Sequence, residues 1–398
     1  MKIKFFNNIK LTCIACLGLS VFSCSGDTPD DPTNSSEPEE NKVSLNIVDK
    51  QATSETKSLY SNLWAIGQQG FMFGHHDDLM YGRKWYNEQG RSDTKDVCGD
   101  YPAVYSLDFA ELSDDRYEGN VETAIRQRCI LEARERGMVI TACAHWNNPL
   151  TGGDAWDNTS DQVAEEILKD GSDTNIRFKQ WLDRLADFVL GLKDNTGRPI
   201  PIIFRPFHEH TQNWSWWGNR CTTEQQFINL WQFTVDYLRD TKNVHQLLYM
   251  ISPQMDSQKT ESDFLYRWPG DNYVDIIGMD CYQGLSPTVF AGNIKTICQL
   301  AKKKMKPCGV SETGVEGFTA SDYWTKQILT PATGRTLSFI ITWRNKFVGG
   351  NDSDNHYYSV WKGHPSEKDF IKFYNSSITY FCNDLPNMYE MAEGVEVK

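Results

Sequence analysis

Eight short apolar segments alternate with longer amphipathic stretches along most of this chain, and this alternation limits the folds open to it. The apolar segments are residues 71–74, 103–107, 138–144, 200–204, 247–251, 274–279, 308–310 and 337–342. The stretches of helical length are residues 121–136, 161–169, 175–192, 223–239 and 288–303. Continuous apolar strands that alternate with helices predict a parallel sheet covered on both faces. Eight such units, with no glycine-rich phosphate motif after the first strand, favour a single (β/α)8 TIM barrel over an open sheet.

Two local signals mark helix ends within this pattern. Thr223 followed by Gln226 predicts a capping box at the start of the fourth helical stretch. Gly137 directly follows the first stretch, where a glycine commonly ends a helix. Both signals support the helical assignments.

Polar side chains follow almost every apolar segment. They include Asp108, His145, Arg205, Glu209, Asp280, Glu312 and Arg344. In a parallel barrel the carboxyl ends of all strands open at one face, and barrel enzymes place their active sites there. Unpaired buried charges cost several kcal/mol, so stability alone gives no reason to collect them at one face. The sequence therefore predicts a catalytic barrel with its site at this face.

Two glutamates are prominent among these residues. Glu209 ends the motif Arg-Pro-Phe-His-Glu after the fourth segment, and Trp214, Trp216 and Trp217 follow it. Glu312 lies in the motif Ser-Glu-Thr-Gly at the end of the seventh segment. Glycoside hydrolysis needs two carboxyl groups, one as proton donor and one as nucleophile or base. Indole rings suit the same chemistry, because they pack against the flat C–H faces of sugars.

Together these motifs resemble those of glycoside hydrolase family 26, typified by endo-β-1,4-mannanases, and the resemblance covers residues 71–343. It implies a retaining enzyme acting on mannan, galactomannan or glucomannan, with Glu209 as general acid/base on strand four and Glu312 as nucleophile on strand seven. It implies no cofactor and no metal. The chemistry needs Glu209 protonated and Glu312 ionised near neutral pH. Arg205 and Tyr282 are candidates for keeping Glu312 ionised.

The resemblance also implies a set of substrate-binding residues. They are His145, Trp156, His208, Trp214, Asp280, Tyr282, Trp343 and Arg344. Trp214 would be a platform on the leaving-group side, and Arg344 would reach the sugar next to the floor formed by Trp343. Trp216 and Trp217 fit either the site or the core of their loop.

Several alternatives stay open at this point. The family also contains mixed-linkage β-glucanases and β-1,3-xylanases that share both glutamates. A non-catalytic surface glycan-binding lipoprotein would keep the tryptophans but would not need both glutamates. Residues 75–78 (His-His-Asp-Asp) could begin a metal site completed by other strands. Residues 210–212 and the long loop 345–365 depart from the simple family pattern, so the detailed shape of the cleft is not implied.

The first 23 residues predict a lipoprotein signal peptide. A lysine-bearing start precedes an apolar run over residues 11–22 that is too short to span a membrane, and Cys24 then follows a serine, as in a bacterial lipoprotein cleavage box. Residues 24–44 predict an acidic disordered linker after the lipidated Cys24, and residues 45–398 the catalytic domain. The acidic linker resembles export signals of Bacteroidetes surface lipoproteins. We therefore expect a protein held by its lipid anchor at the outer membrane, on the cell surface.

The composition narrows the partners further. A formal net charge of −13 argues against a nucleic-acid partner and fits a neutral polysaccharide. We expect a monomer. The cysteines that follow the anchor are Cys98, Cys129, Cys143, Cys221, Cys281, Cys298, Cys308 and Cys382. An even number permits disulfides in an exported protein, although several lie in predicted strands, where buried free thiols are common.

Overall fold

The computed structural model describes residues 42–114, 120–282, 284–351 and 353–398. The predicted signal peptide, the predicted lipidation site Cys24 and residues 25–41 of the predicted linker lie outside these ranges. Within the described ranges, no helix combines the length and the apolar character needed to cross a membrane.

Eight parallel strands form a closed barrel. They are β1 (Phe71–His76), β2 (Val104–Asp108), β3 (Val139–Cys143), β4 (Ile202–Arg205), β5 (Leu247–Ile251), β6 (Ile276–Cys281), β7 (Cys308–Thr313) and β8 (Phe339–Thr342). Each strand pairs with the next one in the chain, and β8 pairs with β1, where Thr342 lies beside His75. A short strand, Thr379–Tyr380, pairs with the start of β1. The predicted (β/α)8 barrel is confirmed, and each predicted apolar segment supplies one strand.

Helices connect the strands and cover the outside of the barrel. They are α1 (Ser54–Gly67), α2 (Asp93–Cys98), α3 (Val121–Glu135), α4 (Val163–Leu168), α5 (Asp173–Gly191), α6 (Glu224–Asp236), α7 (Glu261–Leu265), α8 (Pro287–Lys304), α9 (Thr330–Ala332) and α10 (Glu367–Tyr374). A π-helical turn, Tyr237–Thr241, continues α6, and another, Trp324–Leu329, precedes α9. The five predicted helical stretches correspond to α3, α4, α5, α6 and α8.

Both predicted helix ends are confirmed. The side chain of Thr223 accepts a hydrogen bond from the backbone of Gln226, and the Gln226 side chain accepts one from the backbone of Thr223. Gly137 has a φ of +79°, the left-handed conformation that closes a helix without steric cost in glycine.

The helix α1 closes the amino-terminal mouth of the barrel. Its residues Leu59, Tyr60 and Leu63 share one buried cluster with strand residues such as Val104 and Ile203. The apolar core of the barrel is therefore sealed at this end. Polar side chains can then collect at the other end, where the strands finish.

The two ends of the described chain pair with each other. Val43–Leu45 forms a short parallel ladder with Val395–Val397. Leu45 is fully buried, so this segment belongs to the folded domain. The predicted linker is therefore wrong at its end, since Val43 and Ser44 lie in a strand. The partner of that strand lies at the far end of the chain, and the local sequence gives no sign of it.

The cysteines from Cys98 onward are all free thiols. The Sγ atoms of Cys298 and Cys308 lie 4.0 Å apart, which is a contact and not a bond. No disulfide therefore joins any two of these eight cysteines, all of which lie in the described ranges.

Candidate active site

A cavity of about 430 Å³ opens at the carboxyl ends of the strands. The predicted site residues that line it are His145, Trp156, His208, Glu209, Trp214, Tyr282, Glu312 and Trp343. Asp280 and Arg344, the other two predicted site residues, do not line it. Asp280 is fully buried behind the cavity, and Arg344 lies beside it.

Glu312 lies near the end of β7, where the strand is irregular. The register between β7 and β6 shifts between Val310 and Glu312. Irregularities of this kind redirect a side chain at the rim of a barrel. Oε1 of Glu312 accepts a hydrogen bond from Nη2 of Arg205 at 2.5 Å, and Oε2 accepts one from the hydroxyl of Tyr282 at 2.8 Å. Both donors stabilise a negative charge on Glu312.

Arg205, the last residue of β4, joins two carboxylates inside the barrel. Its Nη1 donates to both oxygens of Asp280 and to Oγ of Ser252, each at 3.0 Å. The hydroxyls of Ser252 and Ser311 also donate to Asp280, at 3.1 and 2.6 Å. Burial raises the pKa of Asp280, and Arg205 opposes that shift. This network fixes the guanidinium and, through it, the carboxylate of Glu312.

Glu209 occupies a turn just beyond β4. Its φ of +51° lies in the left-handed region, which residues other than glycine rarely adopt and which often marks functional positions. Its backbone N–H donates to the carbonyl of Ser252 at 2.8 Å, and its Oε2 accepts from Nε1 of Trp214 at 2.6 Å. Burial raises the pKa of Glu209 well above its ordinary value, the charges of Asp280 and Glu312 raise it further, and Trp214 opposes the shift. A carboxyl group that stays protonated near neutral pH can act as a general acid.

The carboxyl groups of Glu209, Asp280 and Glu312 converge. One oxygen from each lies within 4.8 Å of the other two. For comparison, the two carboxyl groups of retaining glycosidases lie about 5–5.5 Å apart, and those of inverting ones about 6.5–9.5 Å apart. Such a cluster could in principle hold a cation, but Arg205 already binds two of the three carboxylates. The arrangement suits a proton donor facing an ionised nucleophile.

Two histidines at the ends of β3 and β4 differ in their electrostatics. Nδ1 of His145 donates to Oδ2 of Asp108 at 2.5 Å. Burial lowers the pKa of His145, but Asp108 outweighs this effect, so the net pKa is raised. The ring of His208 lies edge-on to that of His145, with centroids 4.5 Å apart. Burial, with the neighbouring His145, lowers the pKa of His208 well below its ordinary value. His145 is therefore stabilised as the cation, whereas His208 stays neutral.

Trp343 and Arg344 follow β8 and diverge. The ring of Trp343 packs on that of His76, with centroids 4.1 Å apart, and forms one wall of the cavity. Nη1 of Arg344 donates to the hydroxyl of Tyr81 at 3.0 Å, and this hydroxyl donates to Asp77 at 2.6 Å. Arg344 is thus held outside the lining by a chain of hydrogen bonds.

Trp156 presents an open aromatic surface at the rim. It is 57% exposed and stacks on His145, with centroids 5.3 Å apart and planes 15° apart. Its ring also lies 5.5 Å from that of Trp214. The two indoles form a continuous apolar edge to the cavity.

Trp216 and Trp217 belong to the core of their loop, which resolves the two interpretations that the sequence allowed. Both are fully buried. Their indole nitrogens donate to the backbone carbonyls of Trp146 and His208, respectively. They support the site and do not line it.

Residues 75–78 have partners of their own. His75 pairs with Asp78 at 3.1 Å, Nδ1 of His76 lies 2.9 Å from Ser106, and Asp77 pairs with Arg126 at 2.9 Å. Among the described residues, the clusters with metal-binding geometry do not include any of these four. The geometry gives no support to a metal site at the end of β1.

Some residues of the site have no role there that the sequence predicts. Asp108 is predicted only as a strand-end residue, although its place at the end of the strand before that of His145 is a signal that the two side chains meet. Gln254 and Tyr358 also line the cavity. Tyr358 comes from the long loop after β8, and its ring lies 5.7 Å from that of Tyr282. Nothing in the local sequence of that loop marks Tyr358, because only the fold brings it to the site.

The sequence profile of Glycosyl hydrolase family 26 matches residues 48–318. A Bifidobacterium adolescentis protein named mannan endo-1,4-β-mannosidase is 32% identical over 362 residues, which are 85% of this chain and 35% of that protein. A protein of the same name from Bacillus subtilis strain 168 is 27% identical over 199 residues, which are 47% of this chain and 52% of that protein. This chain thus spans about a third and about a half of the lengths of these two relatives.

Solved structures of similar proteins have the same architecture. A GH26 β-mannanase from Bacteroides ovatus is 38% identical, with a TM-score of 0.79 over 86% of this chain and 98% of that chain. A modular endo-β-1,4-mannanase from Cellulomonas fimi is 28% identical, with a TM-score of 0.76 over 88% of this chain and 81% of that chain.

Proposed function

Because this chain belongs to glycosyl hydrolase family 26, we propose that it hydrolyses internal β-1,4-mannosidic bonds of mannans with retention of configuration. The pair of Glu209 and Glu312, with carboxylate oxygens within 4.8 Å, carries the proposal. The names of its relatives, mannan endo-1,4-β-mannosidase and β-mannanase, support mannan as the substrate.

In the first step, a carboxylate oxygen of Glu312 attacks the anomeric carbon of the sugar. The glycosidic C–O bond breaks, and the protonated Glu209 gives its proton to the departing oxygen. The product is a glycosyl ester of Glu312 together with the shortened chain. Arg205 and Tyr282 hold the attacking carboxylate in one orientation, so little reorganisation is needed in the transition state.

In the second step, Glu209 is ionised and takes a proton from water. The water oxygen attacks the same anomeric carbon, the ester bond to Glu312 breaks, and the product regains the original configuration. The indole N–H of Trp214 stabilises the carboxylate form of Glu209 during this half of the cycle. Both carboxyl groups then return to their starting states.

Sugar binding is assigned to the residues around the glutamates. His145 and His208 face the cavity from the ends of β3 and β4, and Trp343 supplies an apolar wall. Trp156 offers a stacking surface at the rim. Arg344 does not line the cavity and instead donates to the hydroxyl of Tyr81, so the structure gives it no direct contact with a sugar in the cavity. Asp280 acts through Arg205, because it is buried and contacts that guanidinium directly.

A glycan-binding protein without catalysis fits the site less well. Such a protein would use the exposed ring of Trp156 and the apolar walls. It would gain nothing from Glu209, Asp280 and Glu312 buried together, because burying each carboxyl group costs free energy before the group is paired. Burial of these carboxyl groups at such a cost is expected in a catalytic site and not in a site that only binds sugar.

The test is the release of reducing ends from galactomannan, glucomannan, mixed-linkage β-glucan and β-1,3-xylan. We expect mannans to be cut and expect both Glu209→Ala and Glu312→Ala to lose activity by several orders of magnitude. Cleavage of only the β-glucan or the xylan would reassign the substrate. Proton NMR at early times should show the β-anomer, and early formation of the α-anomer would exclude retention.

For the intact protein we propose export and lipid attachment at Cys24, with the barrel as a monomer outside the outer membrane. The cleavage-box pattern before Cys24 and the acidic residues after it support this location. Incorporation of labelled palmitate in the cell, its loss in Cys24→Ala, and accessibility of the barrel to added protease on intact cells would test each part.

A further inference from the structure

A thiol and two imidazoles meet at the inner end of the cavity. Sγ of Cys143 and one ring nitrogen from each of His145 and His208 lie within 4.8 Å of one another. Both histidines line the cavity. Cys143 is the last residue of β3, is fully buried and does not line it. The two imidazole rings therefore lie at the surface of the cavity, and the thiol of Cys143 lies behind them.

Asp108 fixes the ring of His145. Its Nδ1 donates to Asp108 at 2.5 Å, so Nε2 is the nitrogen that can bind an ion once the cationic ring gives up its second proton. Metal-binding histidines usually have a carboxylate or carbonyl on their second nitrogen, and this partner fixes the ring and strengthens the ligand. Asp108 fills this position without any ion being required to hold it there.

His208 supplies a second observation. Its Nδ1 is buried and has no hydrogen-bond partner within the described parts of the chain. Buried polar atoms are satisfied in the great majority of cases, so an exception calls for a ligand or a role.

We propose that Cys143, His145 and His208 bind a thiophilic divalent metal ion, with Zn²⁺ as the reference ion. The ion is an inhibitor that occupies the sugar site, and it plays no part in the hydrolysis. Zinc takes sulfur at about 2.3 Å and nitrogen at about 2.0 Å in a tetrahedron, so its ligand atoms lie about 3.5 Å apart. The three ligand atoms now lie within 4.8 Å of one another, so binding draws them closer together. The fourth position faces the cavity and takes water.

Binding replaces the thiol proton by the metal. Cys143 loses its proton to solvent as the S–Zn bond forms, because a coordinating thiol is deprotonated by the ion. His145 likewise gives up the proton on its second nitrogen to solvent when that nitrogen binds the ion. Zinc binding therefore releases protons and weakens as the pH falls.

The first test is direct binding to the full-length protein, measured as Zn²⁺ taken from a chromophoric chelator. Cys143→Ser should weaken zinc binding by at least tenfold. The matched control is Cys129→Ser, because Cys129 is also fully buried but lies on α3, with its Sγ donating to the carbonyl of Leu79. The control should bind zinc as the wild type does. Equal zinc affinity in the wild type and Cys143→Ser would overturn the proposal, including the case in which the three carboxylates hold the ion.

Spectroscopy tests the ligand set without relying on a variant. Co²⁺ bound to the wild type should show a thiolate-to-metal charge-transfer band, and X-ray absorption of the zinc-loaded protein should show one sulfur neighbour. A metal shell made of nitrogen and oxygen only would overturn the proposal, even if Cys143→Ser failed to fold. Asp108→Asn should lower the zinc affinity by about 10–100-fold, as loss of a ligand's outer partner does.

Inhibition is the second consequence, and it rests on the proposed function. Zinc should inhibit mannan hydrolysis by the wild type and by Cys129→Ser, in competition with substrate. The inhibition constant should rise at least tenfold in Cys143→Ser, with each variant normalised to its own rate without zinc. Zinc that binds through the sulfur without slowing hydrolysis would overturn the inhibitory role. If no variant hydrolyses mannan, the proposed function fails, and the binding and spectroscopic results still decide the metal site.

Discussion

The indole N–H of Trp214 donates a hydrogen bond to Oε2 of Glu209 across 2.6 Å. A donor in this position stabilises the ionised carboxylate and so lowers the pKa of Glu209, while burial, Asp280 and Glu312 raise it. Trp214 thus sets how far above its ordinary value the pKa of the acid lies. The same ring belongs to the aromatic edge of the cavity, so one side chain joins sugar binding to proton transfer.

Trp214→Phe should shift the pH profile to the alkaline side. The phenyl ring keeps an aromatic surface but removes the N–H, so the pKa of Glu209 rises further and the acid stays protonated to higher pH. We expect the alkaline limb of kcat/KM to move up by about 0.5–1 pH unit, the equivalent of one hydrogen bond of about 1 kcal/mol. Trp156→Phe is the control, because its ring stacks on His145 instead. An alkaline limb that stays in place or moves down in Trp214→Phe would contradict the assignment.

Arg205→Met should destabilise the fold as well as abolish activity. The change leaves Asp280 and Glu312 buried without their cation, and removing one partner of a buried ion pair costs about 3–5 kcal/mol. Urea unfolding at neutral pH measures the loss. Lys362→Met removes an exposed cation from Glu367 and should change the free energy of unfolding by about 1 kcal/mol or less. Similar losses in the two variants would show that the buried network contributes little to stability.

The barrel could be predicted because its signals are local and repeated. Each strand is a continuous apolar run, and each predicted helix shows a helical spacing of its apolar residues. The predicted strand over residues 200–204, for example, starts two residues before the observed strand that ends at Arg205. The two glutamates could also be found, since both follow strands in short polar motifs. The features that could not be predicted are those that depend on contacts between residues far apart in the sequence. Tyr358 reaches the cavity from a loop without a recognisable pattern, and Val43–Leu45 becomes a strand only because Val395–Val397 lies beside it.

The sequence also does not show which of several neighbouring side chains of one type line the cavity and which are buried in the core. Trp214, Trp216 and Trp217 lie within four residues, yet the first lines the cavity and the other two are fully buried. Their chemistry is identical, and only the path of the loop separates a site residue from a core residue. The same holds for Cys143, which is an ordinary strand residue until the turns after β3 and β4 bring His145 and His208 against it.

Asp108→Asn should lower stability in a way that depends on pH. In the wild type the folded pKa of His145 is raised by Asp108, and that of Asp108 is lowered mainly by His145. His145, whose pKa is raised on folding, contributes its full stability below its unfolded pKa of about 6.5, and this stability is lost as the pH rises through the folded pKa. Asp108, whose pKa is lowered on folding, contributes its full stability above its unfolded pKa of about 3.9, and this stability is lost as the pH falls through the folded pKa. The pair is therefore most stabilising between these two values.

The measurement follows from that window. The free energy of unfolding should differ most between wild type and Asp108→Asn at about pH 5.5, and the difference should shrink by about 1 kcal/mol or more by about pH 9. Asp170→Asn is the control, since its exposed pair with Lys179 lies at the surface and should give a small difference at both pH values. If the difference in the free energy of unfolding grew with pH, Asp108 would not be the group that stabilises the protonated form of His145.

Trp156→Ala should weaken substrate binding while leaving the chemical step largely intact. The ring is 57% exposed and touches His145 and Trp214 at the rim, so removing it leaves no internal cavity and should change stability by less than about 1 kcal/mol. A stacking contact made equally in the bound substrate and the transition state affects KM and not kcat. We expect KM for long mannans to rise about 3–10-fold, the equivalent of one aromatic contact of about 0.5–1.5 kcal/mol. Trp216→Ala is the contrasting variant, because its buried ring should cost about 3–5 kcal/mol of stability instead. If Trp156→Ala lowered kcat with KM unchanged, the ring would be acting on the glutamates through His145 and not as a platform for sugar.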